Sequence, residues 1–369
     1  MAEPLCPYFG KCGGCSAQHI DYEAQVENKK KVVQQALGVS EVKVFTGSPY
    51  SYRNRMDFIF HPQGVGLRKR SEWQKIIDIE RCVIANGSLN SLLVEVRSFF
   101  KEPDAFDVRK KNGTLRYAVI RTPESNSSIC FVLNPKSARC SSVIEQIREF
   151  AKLTTATNVM VAYVEPDSDE SVSDEFFVVK GSALLSETFL GKKFWFPVQG
   201  FFQNNQGMAE NMHRYVHELL GGYQTSDSHL LDLYGGVGTF GIINAGIFKS
   251  VSIVENNKGS IDAANANIKE NGVCNATAKV LDAGNIGTLP LGKPLYVIAD
   301  PPRTGMHPKT IAALNSLLPE MMVYISCNIQ QTKKELLKFP GYSVKSAALF
   351  DFFPQTPHCE VVIEMVKRT

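Results

Sequence analysis

One cysteine and two carboxylates near the C-terminus each adjoin an apolar run that is typical of a buried strand. Cys327, Asp300 and Glu360 are each placed at the end of such a predicted strand. Ligands of an open α/β sheet bind outside the carboxyl ends of its strands, so we expect the three side chains to share one edge. A thiolate there could act as a nucleophile and a carboxylate as a proton acceptor. A small core residue is the alternative for a lone cysteine.

A glycine-rich turn upstream predicts a nucleotide-type cofactor site. It has the spacing Asp232-x-x-Gly235-x-x-Gly238, in which the glycines let a ligand approach the backbone and the next helix offers its N-terminal amides. Glu255 ends the next predicted strand and suits a ribose diol, with a surface acid as the alternative. Asp282 ends another strand and could accept a hydrogen bond from an adenine amino group, with a helix cap as the alternative.

The turn alone does not distinguish a dinucleotide site from one for S-adenosylmethionine. The Asp-Pro-Pro run at residues 300–302 is more informative, because its prolines lack N–H donors and fix the exit path of the strand before it. Such a run is more typical of enzymes that methylate bases or amides than of dehydrogenases.

Four of the nine cysteines form a candidate metal site. Cys6, Cys12 and Cys15 lie close together among glycines, so three thiolates can bind one soft metal centre, and Cys82 is the nearest candidate for a fourth ligand. Zinc and a 4Fe–4S cluster are both compatible with four cysteines. Zinc sites usually show paired short spacings, and because Cys82 is remote and unpaired, the pattern favours the cluster.

Length and composition predict a two-domain globular protein. The chain has 369 residues, of which 44% are apolar and 21% charged. It has no apolar run long enough to span a membrane and no signal-peptide pattern, so we expect a cytoplasmic protein without membrane association. Helices and strands of mixed order are predicted over residues 1–195. From residue 196 to 369, strand, glycine turn and helix alternate, which predicts a parallel, helix-covered sheet.

Charge is distributed unevenly along the chain. The net charge is +3, but residues 1–164 carry 23 basic and 16 acidic residues. A basic half suits a polyanionic partner, and ordinary surface variation is the alternative. Two charged runs are expected to be solvated, namely the three lysines at residues 29–31 and the acidic loop at residues 165–175.

Considered together, these motifs resemble the RNA uracil-C5 methyltransferase family, which includes tRNA T-loop and 23S rRNA uridine methyltransferases. The four cysteines are similar to those of its iron–sulfur branch, found in rRNA enzymes and archaeal members. The short stretch before Cys6 predicts that the N-terminal TRAM barrel of some relatives is absent. The matching positions are Cys6, Cys12, Cys15, Cys82, Tyr52-Arg53-Asn54, Leu115-Arg116-Tyr117, Phe202-Gln203-x-Asn205, Asp232-Leu233-Tyr234, Asp300-Pro301-Pro302-Arg303, Ser326-Cys327-Asn328 and His358-x-Glu360.

The resemblance implies a fold and a set of site residues. A Rossmann-like, S-adenosylmethionine-dependent methyltransferase domain would follow a mixed α+β RNA-binding domain that carries the 4Fe–4S cluster. Cys327 would add to C6 of uracil, and Glu360 would be the general base, with His358 as an orienting neighbour. The expected cofactor contacts are Gln203, Tyr234, Thr239, Glu255, Asp282 and Asp300, although relatives often have Asn in place of Thr239 and Cys in place of Gly235.

The function expected from the resemblance is methylation of C5 of a uridine in 23S rRNA, by a monomer that flips the base out of its stack. The same chemistry on the T-loop uridine of tRNA is the alternative. A more remote alternative, an iron–sulfur redox protein, leaves the Asp-Pro-Pro and Ser-Cys-Asn runs unexplained.

Overall fold

The computed structural model describes residues 2–368, which form two compact units. Unit 1 comprises residues 2–22, 48–187 and 197–206, and unit 2 comprises residues 23–47, 188–196 and 207–368. The helices are α1 (Tyr22–Leu37), α2 (Gly87–Phe99), α3 (Cys140–Leu153), α4 (Gln206–Gly221), α5 (Thr239–Asn244), α6 (Lys258–Glu270), α7 (Pro308–Leu317) and α8 (Ile329–Leu336).

The first ten strands are β1 (Lys43–Phe45), β2 (Arg55–His61), β3 (Gly64–Lys69), β4 (Glu72–Asp78), β5 (Leu115–Arg121), β6 (Ser128–Leu133), β7 (Asn158–Tyr163), β8 (Phe176–Lys180), β9 (Leu184–Phe189) and β10 (Lys192–Pro197). The remaining strands are β11 (His229–Leu233), β12 (Ser250–Glu255), β13 (Ala276–Val280), β14 (Leu295–Ala299), β15 (Met321–Ser326), β16 (Tyr342–Phe350) and β17 (Glu360–Lys367). β9 and β10 pair with each other as a separate two-stranded sheet.

Unit 1 is built on a seven-stranded sheet in the order β4-β3-β2-β5-β6-β7-β8. Its neighbours are antiparallel except β6 and β7, which are parallel and are joined through α3. Alternate residues of β2 face the core, where Phe58 and Phe60 pack with Phe131 of β6 against α2 and α3. Polar residues such as Asp57 lie on the other face of β2, so this sheet has one apolar and one largely polar face.

Unit 2 is built on an eight-stranded sheet in the order β1-β16-β17-β15-β14-β11-β12-β13. Every pair of neighbours is parallel except the two pairs that involve β17, which runs antiparallel to both β15 and β16. β11, β14 and β15 are buried along their whole length, as expected for central strands of a helix-covered sheet. The prediction of an α/β fold with a mainly parallel sheet is confirmed.

The sequence predicts one domain boundary between residues 195 and 196, whereas each unit is built from three separate segments of the chain. Residues 23–47 belong to unit 2, because the three-residue strand β1 pairs with β16 and forms one edge of that sheet. Residues 197–206 belong to unit 1, where the buried side chain of Arg121 donates hydrogen bonds to the carbonyl oxygens of Val198 at 2.8 Å and Gly200 at 2.7 Å. Among residues 2–368, no helix is long and apolar enough to cross a membrane.

The expectation that all three lysines at residues 29–31 are solvated is wrong for Lys29. Its side chain is only 4% exposed, and Nζ donates to Asp351 Oδ1 at 2.6 Å and to the carbonyl oxygen of Phe353 at 3.1 Å. The Gln25 side chain also exchanges two hydrogen bonds with Gln355, at 3.0 and 3.1 Å. Helix α1 therefore holds the segment that precedes β17.

The Lys29–Asp351 pair allows a stability prediction. Lys29→Met would leave Asp351 buried without its counter-charge, so we expect a loss of about 3–5 kcal/mol in the free energy of unfolding measured in urea. Lys31→Met is the matched control, because Lys31 is 60% exposed and pairs with Glu27 on the surface. Its loss should stay below about 1 kcal/mol. Equal losses for the two variants would contradict the prediction.

Candidate active site

The carboxyl edge of the unit 2 sheet gathers the side chains that sequence analysis singled out. Glu255 is the last residue of β12, while Tyr234, Asp300 and Cys327 directly follow β11, β14 and β15. These four strands are consecutive and parallel in the order β15-β14-β11-β12, so their carboxyl ends lie at one edge. The backbone amide of Asp300 continues the pairing by donating to the carbonyl oxygen of Leu233 at 3.3 Å.

Glu360 reaches the same edge in a way that differs from expectation. It does not end a strand but begins β17, and β17 is antiparallel to its neighbours. Val361 pairs with Ser326, the residue before Cys327, and Glu360 itself pairs with Phe350 at the carboxyl end of β16. The start of β17 therefore brings Glu360 to the edge where Cys327 lies.

The turn that carries Cys327 is fixed by its two neighbours. Ser326 Oγ accepts a hydrogen bond from the backbone amide of Asn328 at 3.0 Å and lies 2.5 Å from the hydroxyl of Thr332 on α8. The Asn328 side chain caps α8 and also donates to the carbonyl oxygen of Arg303 at 3.1 Å. Cys327 is thus held in a short strand-to-helix turn, half-buried, and does not lie in the core.

Burial is the main cause of the raised pKa values of Glu360, Asp300 and Cys327 at this edge. Burial raises the pKa of Glu360 well above its usual value, Asp300 raises it further, and Arg303 opposes both effects. Burial and then the neighbouring Asp232 raise the pKa of Asp300 to about 7. The Cys327 thiol has a pKa of about 11, raised by burial and then by Glu360 and Asp300. At neutral pH the free protein therefore holds a protonated Cys327 thiol beside an Asp300 carboxyl that is about half ionised.

Arg303 is a site residue that sequence analysis did not single out for a role. Its guanidinium lowers the pKa of Cys327 both through its charge and through a hydrogen bond to the thiol, and it also lowers that of Glu360. It ends the Asp-Pro-Pro-Arg run, so its position after the two prolines was the available signal. Arg303 is the cation that opposes the two carboxyls next to Cys327.

A cleft of about 210 Å³ is lined by three of the six expected cofactor contacts, Tyr234, Glu255 and Asp282. Glu255 accepts hydrogen bonds from the backbone amides of Asn256 at 2.8 Å and Asn257 at 2.9 Å. Asp282 accepts from the Gly284 amide at 2.8 Å and caps a short 3₁₀ helix, as its structural alternative anticipated. Both oxygens of the Glu255 carboxylate thus accept from backbone amides, because Oε2 accepts from Gly236 at 3.3 Å, whereas Asp282 accepts through Oδ1.

Three expected cofactor contacts, Asp300, Thr239 and Gln203, are not among the described residues that line this cleft. Asp300 is buried at the adjoining strand end. Thr239 begins α5, directly after Gly238, whose φ of 87° is in the region that favours glycine. Gln203 belongs to unit 1, on the segment of residues 197–206.

In unit 1, the four predicted metal ligands line a single small cavity together with apolar side chains such as Met56 and Ile79. The cysteines are Cys6, Cys12, Cys15 and Cys82. Burial raises the pKa of three of these thiols, to about 11 for Cys15, and the neighbouring sulfurs add to the effect. The Gly14 amide donates to Cys12 Sγ at 3.3 Å. Within residues 2–368, no group of three or more histidine, cysteine or acidic side chains has the geometry of a metal site, so the expected cluster is not shown.

Comparison with known proteins agrees with this arrangement. Residues 184–288 and 293–368 match the family model of tRNA (uracil-5-)-methyltransferases. The tRNA (uracil(54)-C(5))-methyltransferase of Pyrococcus horikoshii is 32% identical over 98% of this chain and 85% of its own length. The chain belongs to the tRNA (uracil-5-)-methyltransferase family. The resemblance to the RNA uracil-C5 methyltransferase family is confirmed, without its iron–sulfur branch, and the protein is an RNA (uracil-C5) methyltransferase.

Two further proteins are similar to this chain over nearly its whole length. An uncharacterized RNA methyltransferase of Caldanaerobacter subterraneus is 30% identical over 98% of this chain and 84% of its own length. The crystal structure of the Pyrococcus abyssi tRNA (uracil-54, C5)-methyltransferase in complex with S-adenosyl-L-homocysteine superposes with a TM-score of 0.81. It is 28% identical and covers 96% of this chain and 86% of that chain.

The buried carboxyl groups predict a pH-dependent stability. The pKa of Asp300 is about 7 in the folded protein against an ordinary 3.8, so its stabilising effect is complete below pH 4 and is lost as pH rises through 7. Asp300→Asn removes this titration. Between pH 5 and pH 8 the variant should therefore lose about 2–3 kcal/mol less unfolding free energy than the unsubstituted protein.

Asp262→Asn is the control for this experiment, because Asp262 is exposed on α6 beside Lys258. It should leave the slope of stability against pH unchanged. If Asp300→Asn gave the same slope as the unsubstituted protein, the raised pKa of Asp300 would be refuted.

Proposed function

We propose that this protein uses S-adenosylmethionine to methylate C5 of a uridine in the T-loop of tRNA. The observation that carries the proposal is the meeting of Cys327 and Glu360 at one sheet edge, beside the cleft of Tyr234, Glu255 and Asp282. The relatives described above that have named substrates are tRNA uracil-54 enzymes, and they match nearly the whole chain. This likeness favours tRNA over the 23S rRNA expected from the sequence.

Cys327 is assigned as the nucleophile. C5 of uracil is too weak a nucleophile to accept a methyl group unaided, and a bond from the Cys327 sulfur to C6 moves the C5–C6 π electrons toward C5 and O4. Because the pKa of Cys327 is about 11, the thiol must give its proton to solvent water as it attacks, and the Arg303 guanidinium stabilises the thiolate. S-adenosylmethionine, when bound, supplies the methyl group.

Glu360 is assigned as the general base. After methylation it takes the C5 proton, the electrons of the C5–H bond restore the C5–C6 double bond, and the bond from C6 to the Cys327 sulfur breaks. Its raised pKa suits this step, since a carboxylate of higher pKa is a stronger base. His358, whose ring belongs to the same segment, is assigned an orienting role. We assign cofactor contacts to Gln203, Tyr234, Thr239, Glu255, Asp282 and Asp300.

A trapping experiment tests both assignments. A tRNA transcript that contains 5-fluorouridine should form a covalent adduct with the protein in the presence of S-adenosylmethionine, because fluorine at C5 cannot be removed as a proton. Cys327→Ala should abolish the adduct. Glu360→Gln should form adducts even with ordinary uridine and should release product at least about a hundredfold more slowly. Adducts are measured as a gel shift of labelled RNA.

Cys274→Ala is the matched control, because Cys274 is an exposed cysteine of the same unit. It should trap RNA normally. An adduct that survives Cys327→Ala would refute the nucleophile, and normal turnover by Glu360→Gln would refute the base. A fragment of 23S rRNA serves as the second substrate, and labelling of that fragment in place of tRNA would overturn the choice of RNA.

We further propose that Cys6, Cys12, Cys15 and Cys82 hold a 4Fe–4S cluster. Four thiols that converge in one apolar cavity suit a soft metal centre, and burial without a metal disfavours their thiolate forms. Methyl transfer needs no electrons. The cluster's contribution would therefore be structural, joining the N-terminal loop to residue 82 within unit 1.

Purification without oxygen tests the cluster. The brown protein should contain about four irons per chain. Cys12→Ser should lose most of the iron, whereas Cys140→Ser, at a cysteine of the same unit outside the cavity, should keep it. Stoichiometric zinc in place of iron would contradict the assignment.

A further inference from the structure

A cleft of about 590 Å³ opens on the polar face of the unit 1 sheet, and neither the methylation chemistry nor the cysteine site uses it. Its lining combines basic side chains with aromatic rings, the combination that holds phosphates and stacks bases of single-stranded RNA. The lining residues that matter here are Arg68, Phe106, Arg109, Arg116, Tyr117 and Asp169. The volume suits one nucleotide.

Arg68 and Tyr117 form an oxyanion site inside this cleft. Ile59 pairs with Tyr117 on one side and with Gly66 on the other, so these three residues lie on one face of the sheet. Arg68 follows Gly66 by two positions along β3 and therefore lies on the same face. Arg68 Nη2 donates to the two carboxylate oxygens of Asp169 at 2.6 and 2.8 Å, and Tyr117 Oη donates to one of them at 2.8 Å. A guanidinium and a hydroxyl that converge on one pair of oxygens also match a phosphodiester.

The donors are well positioned, whereas their present acceptor is held weakly. Tyr117 is only 7% exposed, and its pKa is raised to about 12 by burial and by Asp169, so it keeps its proton for donation. The carboxylate of Asp169 is 54% exposed. Ion pairs at such exposure contribute little to stability, so a competing anion can displace the carboxylate without a large loss.

The loop that supplies Asp169 is anchored on both sides of this residue. After Asp169, Ser171 Oγ donates to Asp57 Oδ2 at 2.5 Å. Arg116, only 3% exposed, donates to the carbonyl oxygens of Val164 at 3.1 Å, Glu165 at 2.8 Å and Ser168. Its guanidinium also stacks 4.3 Å from the Phe106 ring. Asp169 lies between these two anchors, and the Tyr117 hydroxyl also lies 3.1 Å from its carbonyl oxygen. The loop can therefore stay in place while the exposed side chain of Asp169 turns away from the cleft.

We propose that Arg68 and Tyr117 bind a phosphodiester group of single-stranded RNA, that the cleft receives the adjoining base, and that Asp169 occupies the phosphate position in the absence of RNA. The inference rests on the proposed function only in taking RNA as the substrate. It assigns a role to an acidic loop whose composition alone predicted solvation.

RNA affinity of the full-length protein tests this site, measured by fluorescence anisotropy with a labelled, unmodified tRNA transcript at several salt concentrations. Arg68→Gln should weaken binding about tenfold and reduce the slope of log K against log salt by about one. Tyr117→Phe should weaken binding about threefold without changing the slope. Asp169→Asn should tighten binding about threefold to fivefold, because it removes the competing carboxylate.

Asp174→Asn is the matched control, since it removes the same charge from an exposed residue of the same loop. Equal tightening by Asp169→Asn and Asp174→Asn would reduce the effect to net charge and overturn the inference, as would unchanged affinity in Arg68→Gln. Thermal unfolding verifies that each variant is folded. Adduct formation through Cys327 is scored separately, so a binding site without methylation chemistry, or the chemistry without this site, gives a distinct result.

Discussion

The candidate site depends on the direction of a single strand. Parallel strands bring only their carboxyl ends to one edge of a sheet, and β11, β12, β14 and β15 do so here. β17 is inserted between β15 and β16 in the opposite direction, so its first residue, Glu360, joins them. Because β17 has eight residues, a parallel orientation would have placed Glu360 roughly 25 Å away at the other edge. The reversal is what brings a carboxyl group to the strand end where Cys327 lies.

The same edge contains buried acidic side chains whose ionised forms are unfavourable. Asp232 and Asp300 are both buried, and each has a pKa of about 7 mainly because burial disfavours the ionised form. Near pH 7 each of these two acids is about half protonated, and the pKa of Glu360 is also raised well above its usual value. Under the proposed function the cofactor carries a positively charged sulfonium, and a nearby cation favours ionised carboxylates. Cofactor binding and the readiness of Glu360 to accept a proton would then be coupled through the field at this edge.

The sequence predicted the parts of the structure that follow from local pattern. Continuous apolar runs identified β14 and β15, and the residues after them, Asp300 and Cys327, lie where parallel strands end. The direction of β17 could not be predicted, because pairing is decided by distant strands. The burial of Lys29 was missed because the inward face of α1 presents Gln25, Lys29 and Val33, so its spacing of four is helical but two of its members are polar. The burial of such a face can be recognised only once its partners, Gln355 and Asp351, are known.

The acidic loop shows why charge composition alone is a weak guide to a nucleic-acid surface. Three of its carboxylates, on Glu165, Asp167 and Asp169, pair with Lys136, Lys111 and Arg68 of the same unit. The basic surplus of the first 164 residues is therefore partly neutralised from within the chain. Exposed pairs of this kind are weak individually, whereas a polyanion gains from several phosphates and from the counterions it releases. A loop that competes with RNA for the same cations would lower non-specific binding most, because non-specific complexes depend almost wholly on these charges.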